Sequence, residues 1–447
     1  MNNRTQLSTG RYETPLITGL GIITSIGQGK AAFSSALFAG RTEFGYLKRA
    51  GRESTRPFIG AEISQLVTGN LLPKHKRLWR TASLSTKLAL IATDEAWQDA
   101  QLDSKRVNPA RIGLVVGGSN VQQRLQQQSW RRHESNPAFV SPTYGLTLWD
   151  TDLVGVLSQA FEIQGEGYTV GSASASGSVA IIQAARQIQL GITDVSLAVG
   201  ALFDLSSWEC QALMNMGAMG SERYVNRPDS ACRPFDQESD GFIYGEGCGV
   251  VVLEDAAHAQ RRGIPTLRQA VAELPSTLRQ AQGTAGSGTV EVQGTAYGQL
   301  LGWGHTLDGN RSAKPNQEGE KRAMVAALRM AGLEAARIDY VNTHGTGAPL
   351  GDRTEVAALK AVGLSHCLVN ATKSLTGHGL TAAGVIEAIA TLLQMRAGRC
   401  HPTHNLANPI DPTLRWVTQS AIDADIRYAL SNSFAFGGIN TALVFGF

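Results

Sequence analysis

Apolar and polar residues follow one another along the chain in two patterns. Short runs that are apolar on both faces predict buried strands, and longer segments with apolar residues three and four positions apart predict helices packed on one side. Glycines close several of these segments, which is typical of helix ends and tight turns. The predicted strands are 15–24, 111–118, 194–200, 247–254, 339–343 and 441–445, and the predicted helices are 29–40, 85–100, 319–331 and 380–396.

The alternation of strands and helices predicts an α/β fold with largely parallel sheets buried between helices. The run DVSLAVG at 194–200 is apolar on both faces and is predicted to be a central strand. Residues 265–298 break the alternation, because the pentapeptide TLRQA occurs twice and a stretch rich in glycine, threonine and serine follows. We predict a surface insertion there.

Composition narrows the class of protein. The 447 residues are 43% hydrophobic and 17% charged, which indicates a folded protein with a large core. A net charge of +3 is too small to indicate nucleic-acid binding. The five cysteines form no C-x-x-C pair, which favours a reducing cytoplasm. The chain begins with polar residues and its most apolar helix contains Glu387, so neither a secretory signal nor a membrane span is predicted.

One stretch, VGSASASGSVAIIQAARQIQLG at 170–191, is a candidate site for a catalytic residue. A strand-like lead-in runs into eight residues that are only Gly, Ser or Ala, and a helical pattern follows. Small residues at such a corner indicate that another group approaches the backbone closely. A hydrolase elbow would need glycine two positions either side of Ser174, and both positions hold serine.

Three further glycine-rich corners carry polar residues. They are VNTHGTGAPLGD at 341–352, TKSLTGHG at 372–379 and NSFAFGGIN at 432–440. The chain contains neither a G-x-x-x-x-G-K-[ST] phosphate loop nor an H-E-x-x-H metal motif, so nucleotide binding and zinc hydrolysis are poorly supported.

The four corners, with RPFDQESDGFIYGEGCGVVVLE at 233–254, resemble the β-ketoacyl synthases, which are condensing enzymes of the thiolase fold. The resemblance covers almost the whole chain, and the corners keep the family's order and spacing. It implies two pseudo-twofold-related βαβαβαββ halves in a layered αβαβα architecture. The N-terminal half, 1–262, would hold the nucleophile corner, and the C-terminal half, 263–447, the other three.

The resemblance also implies the catalytic residues. The nucleophile position falls on Ser174, and the two histidines are His344 and His378. Lys373 lies in the same corner as His378, and the family pattern pairs it with Glu355. Taken alone, Ser174 would more often be a small residue tolerated in a crowded turn than a nucleophile.

Substrate contacts follow from the same resemblance. Thr346 would grip the phosphopantetheine of an acyl carrier protein, and Phe434 and Phe436 would wall the acyl pocket. The family's HGTGT reads HGTGA here, so Ala348 lacks one hydroxyl. No metal and no cofactor bound by the chain itself is predicted, because the carrier protein brings the substrate.

The serine is a departure from the family, which has cysteine as acyl acceptor. A cysteine thiol has a pKa near 8.5, lowered further at a helix N-terminus, whereas a serine hydroxyl needs a base in contact. An acyl-serine is also an oxygen ester and a poorer acyl donor, so elongation should be slow. Decarboxylation of a malonyl thioester differs, because two neutral histidines stabilise the enolate whichever atom stands at residue 174.

Three hypotheses follow. The first is a ketosynthase-like acyltransferase of fatty-acid or polyketide biosynthesis, with Ser174 as an atypical nucleophile that supports transfer, decarboxylation or release in preference to elongation. The second is a non-elongating subunit of a ketosynthase heterodimer, akin to a chain-length factor. The third is an elongating synthase with an engineered Cys-to-Ser change. The retained histidines and lysine favour the first. The resemblance also implies a homodimer or heterodimer, whose interface we expect to exceed about 2,000 Å².

Overall fold

Strands from both halves of the chain join in one large sheet. The computed structural model describes residues 14–69, 71–103, 107–220, 222–265 and 294–447. In the described residues the strands are β1 (Leu16–Thr24), β2 (Gly27–Gln28), β3 (Gly45–Tyr46), β4 (Ile59–Ala61), β5 (Ile112–Gly117), β6 (Gly167–Val170), β7 (Val195–Gly200), β8 (Tyr244–Gly245), β9 (Gly247–Glu254), β10 (Gly298–Leu307), β11 (Tyr340–Asn342), β12 (Leu368–Asn370), β13 (Arg399–Cys400), β14 (Arg415–Trp416), β15 (Ile422–Asp423), β16 (Tyr428–Ala435) and β17 (Ile439–Gly446).

Helices alternate with these strands. The α-helices are Lys30–Phe38, Leu71–Thr81, Leu84–Asp99, Gln123–His133, Tyr144–Thr147, Thr151–Phe161, Ser176–Gln189, Ser207–Asn215, Ala256–Arg261, Gln317–Ala331, Pro349–Val362, Lys373–Thr376 and Ala383–Ala397. Short 3₁₀ turns are Pro109–Arg111, Pro137–Phe139, Ala173–Ala175, Pro228–Ser230, Ala335–Arg337 and Leu380–Ala382. The strands and helices predicted from the hydrophobic pattern are therefore present, most within two residues of the predicted ends.

The large sheet has the order β14-β12-β11-β16-β17-β10-β1-β9-β7-β5-β6, with β2 paired to β1. Strands of the first half lie on one side of the β1–β10 pair and strands of the second half on the other, in line with two related halves. The predicted central strand is confirmed, because β7 lies between β9 and β5. The predicted surface insertion falls mainly on residues 266–293, which lie outside the described residues.

The expectation of largely parallel sheets is wrong for the middle of the sheet. The outer strands are parallel, as in the pairs β5–β6 and β11–β12. The pairs β7–β9, β9–β1, β1–β10, β10–β17 and β17–β16 are antiparallel. Burial on both faces gives the same continuous apolar pattern in either direction, so the pattern did not distinguish them.

Two buried helices pack against each other inside the molecule. Gly177 of the helix Ser176–Gln189 leaves no room for a Cβ, which would lie 2.8 Å from the backbone nitrogen of Val385. Gly384 of the facing helix is equally crowded by Ser178. The segment Leu380–Ala397 is long and apolar enough to cross a membrane, but 83% of it is buried inside the fold. It is a core helix, as the sequence predicted.

Candidate active site

A strained turn presents Ser174 at the end of β6. Ala173 adopts φ +46°, a left-handed conformation that residues with a Cβ rarely take. The side chain of Ser176 holds the turn, because its Oγ donates to the Ala173 carbonyl at 2.7 Å and accepts from the Ser172 N–H at 2.8 Å. The small residues of this stretch therefore serve two purposes: they form the turn and they admit the facing helix.

His378 lies beside the serine. Its Nε2 is 2.9 Å from the Oγ of Ser174, and its Nδ1 accepts the backbone N–H of Leu380 at 3.3 Å. A neutral imidazole carries one proton, so a ring whose Nδ1 accepts must carry that proton on Nε2. His378 therefore donates to Ser174, and in this tautomer it cannot act as the base that deprotonates the hydroxyl.

His344 has the same tautomer. Its Nδ1 lies 3.3 Å from Nζ of Lys373, which also donates to the His344 carbonyl at 2.6 Å. Because a lysine nitrogen offers only donors, Nδ1 accepts and the ring proton lies on Nε2. The two imidazoles are close, with ring centroids 5.6 Å apart and planes at 83°.

Both histidines are held neutral. Burial is the main cause that lowers the pKa of His344 and of His378 well below the usual value, and the charge of Lys373 acts in the same direction. Each ring therefore remains a neutral N–H donor at pH 7. Two such donors on one cavity form a preorganised site for a negatively charged oxygen.

The expected pairing of Lys373 with Glu355 is wrong. Lys373 forms its ion pair with Glu387, which stands on the central helix Ala383–Ala397. Glu355 instead accepts the backbone N–H groups of His344 at 2.8 Å and Gly345 at 2.9 Å. It therefore holds the His344 corner in place through the backbone.

Sequence reasoning missed the role of Glu387, although the signal was visible. A carboxyl group in the middle of an otherwise apolar buried helix needs a partner of opposite charge. In the sequence pattern alone, this carboxyl group indicates only that the helix does not span a membrane. Burial raises the pKa of Glu387 to about 7, and the nearby Lys373 opposes that rise.

The cavity at this site measures about 630 Å³. Ser174, His344, His378, Glu355, Thr346, Phe434 and Phe436 all line it. Phe434 is buried, with its ring 5.9 Å from that of His344, whereas Phe436 is 39% exposed at the mouth. Thr346 Oγ1 accepts the N–H of Ala348 at 3.2 Å, so its own hydroxyl proton can still bind a ligand.

No cysteine stands beside the histidine pair to act as a nucleophile in the described part of the chain. All five cysteines are buried, and none of them is among the described residues that line the cavity. Cys232 does contact a residue of the site, since its Sγ donates to the Lys373 carbonyl at 3.1 Å. Burial raises the pKa of its thiol, so it is an inert packing residue.

Comparison with known proteins identifies the family. Residues 15–259 match the N-terminal domain and residues 297–407 the C-terminal domain of β-ketoacyl synthase. The chain belongs to the β-ketoacyl synthase family, and the predictions of a ketosynthase-type enzyme and of the thiolase fold are confirmed.

Individual relatives cover nearly the whole chain. "Polyketide biosynthesis malonyl-ACP decarboxylase PksF" of Bacillus subtilis is 46% identical over 96% of this chain and 95% of its own length. "3-oxoacyl-[acyl-carrier-protein] synthase 1" of Escherichia coli is 31% identical over 96% of this chain and 98% of its own. Among solved structures, "The ishigamide ketosynthase/chain length factor" superposes with a TM-score of 0.83 at 25% identity, covering 97% of this chain and 99% of that one.

Proposed function

We propose that this protein removes CO₂ from a malonyl thioester carried on an acyl carrier protein and releases the acetyl thioester. The observation that carries the proposal is the hydrogen bonding of the two histidines that line one cavity with Ser174: the Nδ1 atom of each ring accepts a hydrogen bond, which leaves Nε2–H as the donor of each ring. The name of the 46% identical relative, a malonyl-ACP decarboxylase, supports the same reaction.

The step needs stabilisation of one oxygen. As the bond between the carboxylate carbon and the methylene carbon breaks, the electron pair moves onto the thioester oxygen and an enolate forms. The Nε2–H groups of His344 and His378 donate to that oxygen, where the charge develops. Removing one such donor typically slows a reaction about 100- to 1,000-fold.

Ser174 suits this reaction better than elongation. A condensing enzyme must first hold an acyl chain on its nucleophile, and the hydroxyl of Ser174 faces an N–H donor rather than a base. Malonyl decarboxylation needs no covalent intermediate. In this proposal Ser174 is an uncharged, small neighbour of the thioester. The nucleophilic role that the first hypothesis gives to Ser174 is then minor.

The proposed partners are an acyl carrier protein and a second ketosynthase-type chain. The strand β6, which precedes Ser174, is the edge of the large sheet and is free to extend it across a dimer. The strand β7 is internal, between β5 and β9, and cannot do this. Phe139 is 73% exposed and Trp149 is 64% exposed, and both lie on segments before β6, where a second chain would cover them. The Thr169 hydroxyl of β6 donates to the carbonyl of Asp150 at 2.7 Å and so ties the segment of Trp149 to the edge strand. We place the protein in the cytoplasm.

A second candidate is a non-elongating subunit akin to a chain-length factor, favoured by the likeness to the ketosynthase/chain length factor structure. The neutral histidine pair and the open cavity argue against it, because a subunit that only shapes a partner's tunnel needs neither.

Purified protein with malonyl carrier protein distinguishes the two candidates. Mass spectrometry of the carrier protein should show conversion of the malonyl to the acetyl thioester with no acyl group on the enzyme. Malonyl carrier protein that persists unchanged, alone and with a ketosynthase partner present, would favour the chain-length-factor function.

A further inference from the structure

A buried carboxyl group with one unpartnered oxygen, among the described residues, lines the same cavity. Glu320 stands in the first turn of the helix Gln317–Ala331, which Asn316 caps by accepting the backbone N–H groups of Glu318 and Gly319. The residue is only 1% exposed, yet it contributes to the wall that also contains Ser174 and the two histidines. Its Oε2 has no hydrogen-bond partner within the described part of the chain.

The other buried carboxyl groups of this region all have structural contacts. Glu355 accepts two backbone N–H groups, and Glu387 is paired with Lys373. Asp352 accepts the backbone N–H groups of Phe235 at 2.6 Å, and of Thr346 and Gly347 at 3.1 and 3.2 Å. These three carboxylates hold the loops of the site in place.

Glu320 differs from them because burial of an oxygen atom that accepts no hydrogen bond lowers the stability of a fold. The fold therefore does not require it. A residue that is kept at such a cost and faces the reaction cavity is a candidate for chemistry.

The surroundings of Glu320 favour the protonated form of its carboxyl group. Burial is the larger cause that raises the pKa of Glu320 well above its ordinary value, and three neighbouring carboxyl groups act in the same direction. These groups are Glu355, Asp308 and Asp352. Lys314 also lines the cavity, and Arg322 faces Asp308 at 3.6 Å.

We propose that Glu320 is the general acid that protonates the carbon left when CO₂ departs, a step that rests on the proposed decarboxylase function. Once the carbon–carbon bond has broken, the enolate returns its electron pair to the methylene carbon. That carbon forms a C–H bond with the proton of the Glu320 carboxyl group, and the thioester carbonyl is restored. Glu320 then regains a proton from solvent water, so each cycle consumes one malonyl group and one proton and yields one acetyl group and CO₂.

A proton donor beside the carbanion favours decarboxylation over condensation. In a condensing enzyme the carbanion must survive until it attacks the acyl group, and a nearby proton donor would quench it. In a decarboxylase the same donor completes the turnover. Glu320 and Ser174 therefore act together: the serine supplies no acyl thioester, and the glutamic acid removes the carbanion.

The test compares Glu320→Gln with the matched variant Glu318→Gln, two positions away, whose exposed side chain pairs with Lys321 and is not among the described residues that line the cavity. The variants and the wild type decarboxylate malonyl carrier protein in an equal mixture of H₂O and D₂O. Mass spectrometry then gives the ratio of CH₃ to CH₂D in the acetyl product, which depends on the proton donor.

We expect Glu320→Gln to change this ratio and to lower kcat about 100-fold or more, the lower end of the usual contribution of a general acid, with KM unchanged. Glu318→Gln should match the wild type. A ratio for Glu320→Gln equal to that of the wild type would overturn the proposal. Glu320→Ala serves as a second variant if the glutamine protein does not fold, with the same expected change in the ratio. A wild type that forms no acetyl product would instead overturn the decarboxylase function itself.

Discussion

The Nε2–H of His378 points at the Oγ of Ser174 across 2.9 Å, because the other ring nitrogen accepts the backbone N–H of Leu380. In a serine hydrolase the histidine nitrogen at this place is the acceptor and removes the hydroxyl proton. Here the direction of the hydrogen bond is reversed. The pair is built to donate towards an oxygen.

Removing the serine hydroxyl should therefore have little effect on decarboxylation. We expect Ser174→Ala to keep the rate of acetyl carrier protein formation within about fivefold of the wild type, since the histidines carry that step. Carrier-protein mass spectrometry measures the rate. A loss of about 100-fold or more in a folded variant would show that the hydroxyl takes part in the reaction.

Restoring a thiol should restore an acyl acceptor. In Ser174→Cys the thiolate would stand in the first turn before the helix Ser176–Gln189, where the positive end of the helix stabilises it. We expect acyl-enzyme to form in this variant. Condensation with malonyl carrier protein should rise about tenfold or more, which corresponds to about 1.4 kcal/mol of barrier, when Glu320→Gln is added and the carbanion is no longer quenched. Intact mass and product analysis measure both. A cysteine variant that remains unacylated would contradict this prediction.

Each histidine should be needed by itself. We expect His344→Ala and His378→Ala each to lower kcat for decarboxylation about 100- to 1,000-fold, because each removes one donor to the enolate oxygen. The matched control is His133→Ala, at the end of the helix Gln123–His133 and outside the cavity. Equal activity of all three variants would exclude the histidine pair as the site of the reaction.

The activity should not follow the ordinary titration of histidine. Burial and the charge of Lys373 lower the pKa of both site histidines, so they remain neutral when the pH falls through the usual value near 6.5. We therefore expect both imidazoles to stay neutral between pH 7.0 and pH 6.0, so that any change of kcat in this range follows Glu387, whose pKa is raised to about 7. NMR signals of either ring that shift with an apparent pKa near 6.5 would contradict this prediction.

The buried ion pair of Lys373 can be tested through stability. Lys373→Met leaves the Glu387 carboxyl without its partner and should lower the free energy of unfolding by about 3–5 kcal/mol. Adding Glu387→Met replaces both partners by apolar groups and should restore most of that loss. Adding Glu355→Gln instead should restore little. Denaturant titration measures all four proteins, and equal recovery in both double variants would contradict the pairing.

Dimerisation should depend on the apolar segments beside the edge strand. We expect a dimer at micromolar concentration in sedimentation experiments. The double change Phe139→Ser and Trp149→Ser should raise the fraction of monomer, because both side chains are largely exposed in the single chain. Val325→Ser, on the exposed face of a helix in the second half, is the matched control. A wild type that stays monomeric would refute the predicted assembly.

Much of the fold could be predicted because its signals are local. The hydrophobic run of β9 (Gly247–Glu254) and the glycine-bounded helix Lys30–Phe38 each show their type within a few residues. The corners of Ser174, His344 and His378 were identified by resemblance, and the structure brings them around one cavity.

The rest depends on contacts between distant segments. Lys373 has two acidic neighbours, and spacing along the chain does not reveal that Glu387 is the one within reach of its ammonium group. The direction of the strands beside β1 is decided by the crossing of the chain between the two halves, which a one-dimensional pattern does not contain. The tautomer of His378 depends on the backbone N–H of Leu380, and that of His344 depends on the ammonium group of Lys373.

The central claim is that the histidine pair decarboxylates a malonyl thioester without acylation of Ser174. The most direct measurement is the simultaneous intact mass of wild-type enzyme and malonyl carrier protein during one incubation. We predict that the carrier protein loses the mass of one CO₂ molecule, while the mass of the enzyme stays unchanged. An enzyme that gains the mass of an acyl group at Ser174, with the carrier protein left deacylated, would contradict it.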